Sequence, residues 1–373
     1  MKTKKKYYNS LTKNSSTKKK SHLLKSFSPS INRKLEFKKL KTLKNKSIKL
    51  CNNLLQINIG TLKNPKCLNY KDVNVKKFLL KNLVSSKHLD PSKFIAPKQL
   101  NSNCWFNTMF VAFFFSDKGR KFFRFFRNLM ITGKKVDKSR MEDQNLRKLL
   151  FIFNLYIEAS YNQKISKNKV NLHNQIKYLT SNLETNFLIK KIYNTIKNNS
   201  PNYSLPNIDE PGNPLEYYKV IMDYMKYDIL KILNINVDIK TINTYKNINE
   251  IINNRFKKIY DILIIEDHES KMNFENEYVI EYDNNIYKYV LDSIILTNKK
   301  HYDPNENSHF VSVLTINKEE YKFDGSSYSK LSKFNWKKIL NKDLDWSFKE
   351  NPLYYPEIYN FQYGYKILFY YRS

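Results

Sequence analysis

Residues 99–108 read Gln99-Leu100-Asn101-Ser102-Asn103-Cys104-Trp105-Phe106-Asn107-Thr108, and the apolar run Met109-Phe110-Val111-Ala112-Phe113-Phe114-Phe115 follows at once. Such a run is too long and too bulky for a single strand, so it predicts a buried helix that begins near Cys104. The unpaired backbone N–H groups and the dipole at the start of a helix favour a thiolate over a thiol. Cys104 is therefore the candidate nucleophile.

The composition predicts a packed core and gives a large excess of positive charge. Of the 373 residues, 41% are hydrophobic and 15% aromatic, so the chain as a whole is not disordered. The net charge is +32, which would ordinarily indicate an anionic partner such as nucleic acid or a membrane surface. The excess is mostly Lys and accompanies abundant Asn, Ile, Tyr and Phe, so A/T-rich codon usage explains it equally well in the folded part.

The cysteine spacing and the apolar runs bear on the compartment. Cys51, Cys67 and Cys104 form no CxxC pair, which argues against a zinc ribbon and a disulfide framework and predicts a reducing compartment. The N-terminus lacks the apolar core of a signal peptide, and no apolar run approaches the roughly 20 residues of a membrane span. We expect a soluble intracellular protein of the cytoplasm or nucleus, or of the host cell or virion if it is viral. It should have no transmembrane segment, no cofactor and no metal.

Three regions follow one another along the chain. Residues 1–50 are rich in Lys, Ser and Asn, with Glu36 as the one acidic residue. They predict a disordered basic arm that binds nucleic acid or an anionic surface, although a solubilising tail fits as well. Residues 51–90 predict a lead-in of short helices. Residues 91–373 form the main domain.

Helical patterns precede strand patterns in the main domain. Helices are predicted at 145–156, 173–196 and 215–233. Short β-branched and aromatic runs then predict strands at 236–242, 260–265, 277–282, 287–297, 310–316, 321–323 and 365–371. Helices followed by an antiparallel sheet define the α+β class, with a cleft between a helical N-terminal half and the sheet.

A thiolate nucleophile needs a base for its proton and an acceptor that orients the base. Among the six histidines, His309 stands out because it opens a strand whose hairpin partner ends at Asp324. In a hairpin, a residue at the start of one strand lies near a residue at the end of the next. A lone histidine would be an ordinary sheet-edge residue. Together with Asp324 and a separate cysteine motif, His309 is the candidate base.

These motifs, in this order, resemble the ubiquitin-specific proteases, a family of papain-like cysteine peptidases that act as deubiquitinases. The similarity spans residues 99–372. It is carried by six blocks: Asn103–Thr108, Leu215–Tyr224, Tyr287–Ile295, Ser308–Val313, Tyr321–Asp324 and Tyr365–Arg372.

The resemblance implies a papain-like catalytic domain at 91–373 and a substrate that is ubiquitin or a ubiquitin-like protein. It makes Cys104 the nucleophile, His309 the base and Asp324 the orienter. Gln99 falls where the family usually has an oxyanion-hole Asn, and its amide can donate the same hydrogen bond. Asn101 is the competing candidate for that role.

The sequence departs from the family pattern at three features. Ser308 stands where a Gly is expected before the histidine, and Asn101-Ser102-Asn103 stands in place of the Gly-Asn-Thr run before the cysteine. The zinc-binding CxxC pairs of the fingers subdomain are absent. Two alternatives therefore stay open. One is a viral-type cysteine protease that processes structural proteins, and the other is a non-catalytic protease-like scaffold whose basic arm binds nucleic acid.

Overall fold

The computed structural model describes most of the chain after residue 48. The described residues are 49–51, 53–60, 64–83, 91, 94, 99, 103–135, 137–161, 185–199, 213–224, 230–268, 271–300, 309–326, 331–348 and 357–373. The predicted arm up to residue 48, Asn101, Ser308 and the predicted helix at 173–184 lie outside these ranges. Residues 49 and 50, assigned to the arm from sequence, form a strand.

The lead-in contains a small sheet as well as a helix, so the prediction of helices alone is wrong. In the described residues, β1 (Lys49–Leu50), β2 (Gln56–Asn58) and β3 (Cys67–Asn69) pair antiparallel in this order, and α1 spans Val73–Leu83. Strands of two or three residues are too short to leave a period in the sequence. Apolar side chains of the lead-in share one buried cluster with residues of two later helices; its members are Ile57, Tyr70, Val75, Leu79, Ile131, Phe151 and Leu155.

A disulfide joins Cys51 to Cys67, which corrects the expectation of unpaired cysteines. Strands β1 and β3 both pair with β2, and this brings the two Cα atoms to 6.1 Å across a sequence separation of 16. The spacing of the two cysteines in the sequence could not show that strand pairing brings them together. The pairing also removes the argument for a reducing compartment, since that argument depended on free thiols. Cys104 is free and buried.

Six helices of the described chain follow, and they include the one predicted from the apolar run. They are α2 (Cys104–Phe114), α3 (Gly119–Phe122), α4 (Arg124–Thr132), α5 (Gln144–Tyr161), α6 (Thr185–Asn199) and α7 (Pro214–Tyr224). All residues of α2 are buried, so the predicted buried helix is confirmed. The predicted helix at 145–156 lies within α5. The prediction at 215–233 is wrong at its end, because Leu233 belongs to a strand.

A buried polar network fastens α1 to α4 and α5. The Arg127 guanidinium is ion-paired with the Glu158 carboxylate, and its Nε donates to Asn154 Oδ1 at 3.0 Å. Asn82 Nδ2 of α1 donates to Glu158 Oε2 at 3.3 Å. All four side chains are buried. Because a buried charge is tolerated only when it is paired and hydrogen-bonded, this network specifies how the lead-in packs on the helices.

The second half of the described chain forms one large sheet. Its strands are β4 (Ile232–Val237), β5 (Ile262–His268), β6 (Glu277–Tyr282), β7 (Asn285–Leu296), β8 (Val311–Ile316), β9 (Glu319–Phe323), β10 (Leu331–Lys333) and β11 (Tyr365–Arg372). Their order is β10-β9-β8-β7-β11-β5-β4, and β6 pairs with β7. The strands predicted from residue 260 onwards are confirmed within two or three residues at their ends.

The sheet is mixed, so the prediction of an antiparallel sheet is wrong at one edge. Strand β4 runs parallel to β5, with α8 (Ile239–Thr244) and α9 (Ile248–Arg255) between them in sequence. The strand predicted at 236–242 ends at Val237. Asp238 then accepts a hydrogen bond from Thr241 N at 2.9 Å and begins α8. A helical crossover of this kind is what a parallel strand pair requires.

The sheet is buried on both faces, and alternation along β11 divides its side chains between two cores. Tyr365, Ile367, Phe369 and Tyr371 join the cluster around α2, whereas Leu368 and Tyr370 join the cluster on the opposite face. Helix α2, which begins at Cys104, packs on the sheet at β8 and β7. The chain is thus α+β, with helices of its N-terminal half packed against a mixed sheet. Within the described ranges, no helix has both the length and the apolar character that a membrane span requires.

Candidate active site

Cys104 is the first residue of α2 and is 7% exposed. The backbone N–H groups of Phe106 and Asn107 donate to Asn103 O, each at 3.1 Å, and so close the first turn of the helix. The apolar residues after Cys104 are wholly buried and hold the helix against the sheet. The sulfur is therefore fixed at a helix N-terminus, where backbone N–H groups are available to an anion.

His309 and Asp324 meet at the end of the β8–β9 hairpin. His309 Nε2 lies 2.7 Å from Asp324 Oδ1. Phe323 pairs with Ser312, so the two side chains meet diagonally just beyond the last paired residues. Their side chains are 14% and 7% exposed, respectively. The hairpin thus supplies a base and an acceptor from one local unit.

Asp324 is oriented by its own turn as well as by His309. Ser326 N donates to Asp324 Oδ1 at 2.8 Å, and the Ser326 hydroxyl lies 2.9 Å and 3.0 Å from the two carboxylate oxygens. Hydrogen bonds to the charged form stabilise a carboxylate. These hydrogen bonds hold the direction of the Asp324 carboxylate beside the ring.

Electrostatics make His309 unusually basic. Burial of the ring lowers its pKa, but hydrogen bonds to Asp324 and Cys104, together with the charges of these two groups, outweigh burial and raise the pKa to about 10. The ring is hydrogen-bonded to Cys104 and to Asp324 at once. The structure therefore brings together the three residues predicted as nucleophile, base and orienter, although their catalytic roles stay a prediction.

Gln99 is placed next to this group by its backbone. Its N–H donates to Gly325 O at 3.0 Å, one residue after Asp324. Gly325 also lies against α2, because a Cβ at this glycine would stand 3.1 Å from Asn107 Nδ2. The oxyanion role of Gln99 stays a prediction. The competing residue, Asn101, lies outside the described residues.

Two further features of the site were missed from sequence. Tyr359 is buried; burial first, then the charges of Glu357 and Asp324, raise its pKa well above 10. Its hydroxyl donates to Glu357 Oε2 at 2.9 Å. Nothing in the turn-rich sequence around Tyr359 signals this position. Gly325 did carry a signal, since the chain has only six glycines and one of them directly follows Asp324.

The start of α7 is tied to the sheet near the His309 strand. Tyr365 OH donates to Glu266 Oε2 at 2.8 Å, and Asn213 Nδ2 donates to the same oxygen at 2.6 Å. The Phe310 ring packs edge-on against Tyr365, with centroids 6.3 Å apart. Tyr218 of α7 stacks on Phe106 in the first turn of α2. Helix α7, one of the six sequence blocks, therefore contacts α2, and the residue that precedes it contacts the sheet.

The described residues contain no group of three or more His, Cys, Asp and Glu side chains placed to hold a metal ion. The side chains and backbone that meet at the site offer a thiol, an imidazole, a carboxylate and amides. This set suits nucleophilic attack on a carbonyl followed by proton transfer.

No protein-family model matches the sequence, and no curated protein matches it. Solved structures do match. The chain is similar to a chain of the SAGA Ubp8/Sgf11/Sus1/Sgf73 DUB module bound to ubiquitin aldehyde, with 10% identity, a TM-score of 0.42, and coverage of 78% of this chain and 71% of that chain. For another structure of this module the identity is 10%, the TM-score is 0.37, and the match covers 76% of this chain and 68% of that chain.

It is also similar to the Saccharomyces cerevisiae Pan2 pseudoubiquitin hydrolase-RNA exonuclease module in complex with RNA. Here the identity is 12%, the TM-score is 0.44, and the match covers 76% of this chain and 55% of that chain. At these identities and TM-scores, the chemistry has to be argued from the chain's own side chains.

Proposed function

We propose that the chain is a thiol-dependent hydrolase with a papain-like catalytic domain at 91–373. The observation that carries this proposal is the meeting of Cys104, His309 and Asp324, which come from a helix start and a hairpin end far apart in sequence. A buried histidine with a pKa raised by a carboxylate and a thiol is what a cysteine nucleophile needs for activation.

In the proposed reaction, the Cys104 sulfur attacks the carbonyl carbon of the scissile bond, and the thiol proton resides on His309. The oxygen of the tetrahedral intermediate receives hydrogen bonds from the Cys104 backbone N–H and from the amide of Gln99 or Asn101. The carbon–nitrogen bond then breaks, and His309 gives its proton to the leaving amine. Water attacks the resulting thioester while His309 takes a proton from it. The product leaves as a carboxylate, and the Cys104 thiol is restored.

The proposed substrate is the C-terminal tail of ubiquitin or a ubiquitin-like protein, joined through an isopeptide or peptide bond. The ordered sequence blocks between 99 and 372 support this choice. The absent CxxC pairs indicate a reduced or reshaped grip on the globular body of such a substrate. The basic residues of the arm at 1–50 would add salt-sensitive binding to nucleic acid or another anionic surface.

Hydrolysis of a fluorogenic amide at the C-terminus of ubiquitin tests the proposal. We expect turnover by the full chain, loss of turnover in Cys104→Ala and in His309→Ala, and partial loss in Gln99→Ala or Asn101→Ala, whichever supplies the oxyanion donor. Inertness towards ubiquitin with thiol-dependent cleavage of other proteins would favour the processing protease. Absence of any thiol-dependent hydrolysis would contradict the proposal and leave the scaffold.

The arm is tested separately. Deleting residues 1–50 should leave turnover of the fluorogenic amide intact and weaken binding to a labelled oligonucleotide, with a smaller dependence on salt concentration. Unchanged binding in the deletion variant would contradict a nucleic-acid role for the arm. Arginine and lysine residues in the rest of the chain would then account for the binding.

A further inference from the structure

The proposed nucleophile and base stand on different elements, so their alignment depends on how α2 sits against the β8–β9 hairpin. Helix α2 packs along β8, with Cys104 at the end where His309 and Asp324 meet. At the opposite end, the chain leaves α2 and turns towards α3. This distant end carries a set of contacts that the reaction does not use.

Asp117, three residues after α2, contacts the hairpin through both its backbone N–H and its carboxylate. Its N–H donates to Thr315 O at 2.8 Å. Its carboxylate accepts from Asn317 N at 2.9 Å through Oδ1 and from Lys318 N at 2.8 Å through Oδ2. Asn317 and Lys318 both have positive φ, 52° and 67°, as a tight two-residue hairpin turn requires. The carboxylate therefore caps the turn whose strands carry His309 and Asp324.

A second carboxylate holds the same connection to a different strand. Asp292 of β7 accepts hydrogen bonds from Lys118 N at 2.9 Å and Gly119 N at 3.1 Å. Loss of the Asp117 side chain would therefore leave the end of α2 attached to β7. It would release the N–H groups of Asn317 and Lys318 in the hairpin turn and the Arg120 guanidinium, while the Asp117 backbone N–H would still donate to Thr315 O. Asp292 thus holds the connection after α2 to β7, and the Asp117 carboxylate holds it to the turn between β8 and β9.

We propose that Asp117 is a positioning residue that fixes the β8–β9 hairpin relative to α2 and so aligns His309 with Cys104. The inference rests on the proposed function. Helix α2 extends about 15 Å from Cys104 to Phe114, at about 1.5 Å per residue, and Asp117 follows three residues beyond its end. A small rotation of the hairpin at its turn is therefore carried to the end that bears the base. A misplacement of about 1 Å costs roughly 100-fold in a reaction that depends on alignment.

The test compares Asp117→Ala with Asp143→Ala. Asp143 is the matched control because it also accepts two backbone N–H groups, from Asn145 at 2.8 Å and Leu146 at 2.9 Å, but it caps α5 and does not touch the hairpin. Both variants lose a cap of the same kind, so a similar fall in melting temperature is expected. Only Asp117→Ala should lower kcat/KM on the fluorogenic ubiquitin amide, by roughly 10- to 100-fold.

The second readout is the titration of the His309 ring by NMR, which a loss of stability alone does not move. We expect the His309 pKa to fall in Asp117→Ala, because the ring loses its register with Cys104 while it keeps Asp324 of the same hairpin, and to stay unchanged in Asp143→Ala. Asp117→Asn keeps one acceptor oxygen and should lie between the wild type and Asp117→Ala. It replaces Asp117→Ala if that variant does not fold.

Equal effects of Asp117→Ala and Asp143→Ala on both turnover and the His309 titration would overturn the inference. Failure of the proposed function is a distinct result, seen as a wild type that hydrolyses nothing. In that case the titration still decides: a His309 pKa that falls only in the Asp117 variants supports the alignment role, and one that stays constant refutes it.

Discussion

Replacing Asp324 with Asn tests the electrostatic core of the site, because it removes one negative charge and keeps the shape of the side chain. Asp324 Oδ1 lies 2.7 Å from His309 Nε2 and is the strongest of the influences that raise the His309 pKa to about 10 against an ordinary 6.5. Without that charge, burial of the ring is opposed only by Cys104 and by a neutral hydrogen bond to the amide oxygen. We expect the His309 pKa in Asp324→Asn to fall by at least one unit towards 6.5.

The same shift makes folding stability depend on pH. The folded protein holds the His309 proton up to about pH 10, whereas the unfolded chain releases it above 6.5. The contribution of the His309 proton to the free energy of unfolding is therefore complete below pH 6.5 and is lost as the pH rises through about 10. Between these values the free energy of unfolding should fall by up to about 1.4 kcal/mol per pH unit. In Asp324→Asn this pH window should become narrower.

Three measurements check the prediction on wild type and Asp324→Asn: the NMR titration of the His309 ring, urea unfolding at several pH values, and kcat/KM on the fluorogenic ubiquitin amide. Turnover should fall by roughly 100-fold or more, the lower end of what a positioned acid–base group contributes. Ser326→Ala is the control, since it removes a hydroxyl hydrogen bond to Asp324 but keeps the charge. An unchanged His309 titration in Asp324→Asn, or an equal shift in Ser326→Ala, would refute the reasoning.

Three further changes probe the packing around the site and the lead-in. Gly325→Ala would place a Cβ 3.1 Å from Asn107 Nδ2, so we expect kcat/KM to drop roughly tenfold. Adding Asn107→Ala should restore part of the activity. Unchanged kcat/KM in Gly325→Ala alone would contradict the close contact. Glu158→Ala leaves Arg127 as a buried unpaired charge and should lower the free energy of unfolding in urea by about 3–5 kcal/mol, and a loss below about 1 kcal/mol would argue against the network. Reduction with dithiothreitol should lower the melting temperature of the wild type but not of Cys51→Ser, because a disulfide closing a loop of this length stabilises by about 3 kcal/mol; equal melting curves with and without reductant would show that the bond is not formed.

The elements closest to the candidate site were the most predictable from sequence. Helix α2 was predicted from an apolar run that is too long and too bulky for a single strand. Strands β8 and β9 were predicted from the alternation of apolar and polar residues on either side of a polar turn. Hairpin geometry then predicted that His309 and Asp324 can be neighbours. These predictions depend on the residue pattern within short segments, which a single sequence contains.

The features that were mispredicted depend on distant partners. Parallel pairing of β4 with β5 arises from a crossover that no local period records, and the strand predicted at 236–242 stops because the Asp238 cap outweighs β propensity. The disulfide follows from a three-stranded sheet too short to be recognised. The contacts of Asp117 with the hairpin turn join residues about 200 positions apart, and only the assembled fold brings them together.

The central claim is that the Cys104 sulfur is the nucleophile and that His309 activates it. Incubation of the full chain with ubiquitin carrying a thiol-reactive group at its C-terminus, followed by peptide mapping of the adduct by mass spectrometry, tests this claim most directly. The account predicts one adduct, on Cys104, that is absent from Cys104→Ala and from His309→Ala. An adduct that forms in His309→Ala at the wild-type rate, or one that maps to Cys51 or Cys67, would contradict it.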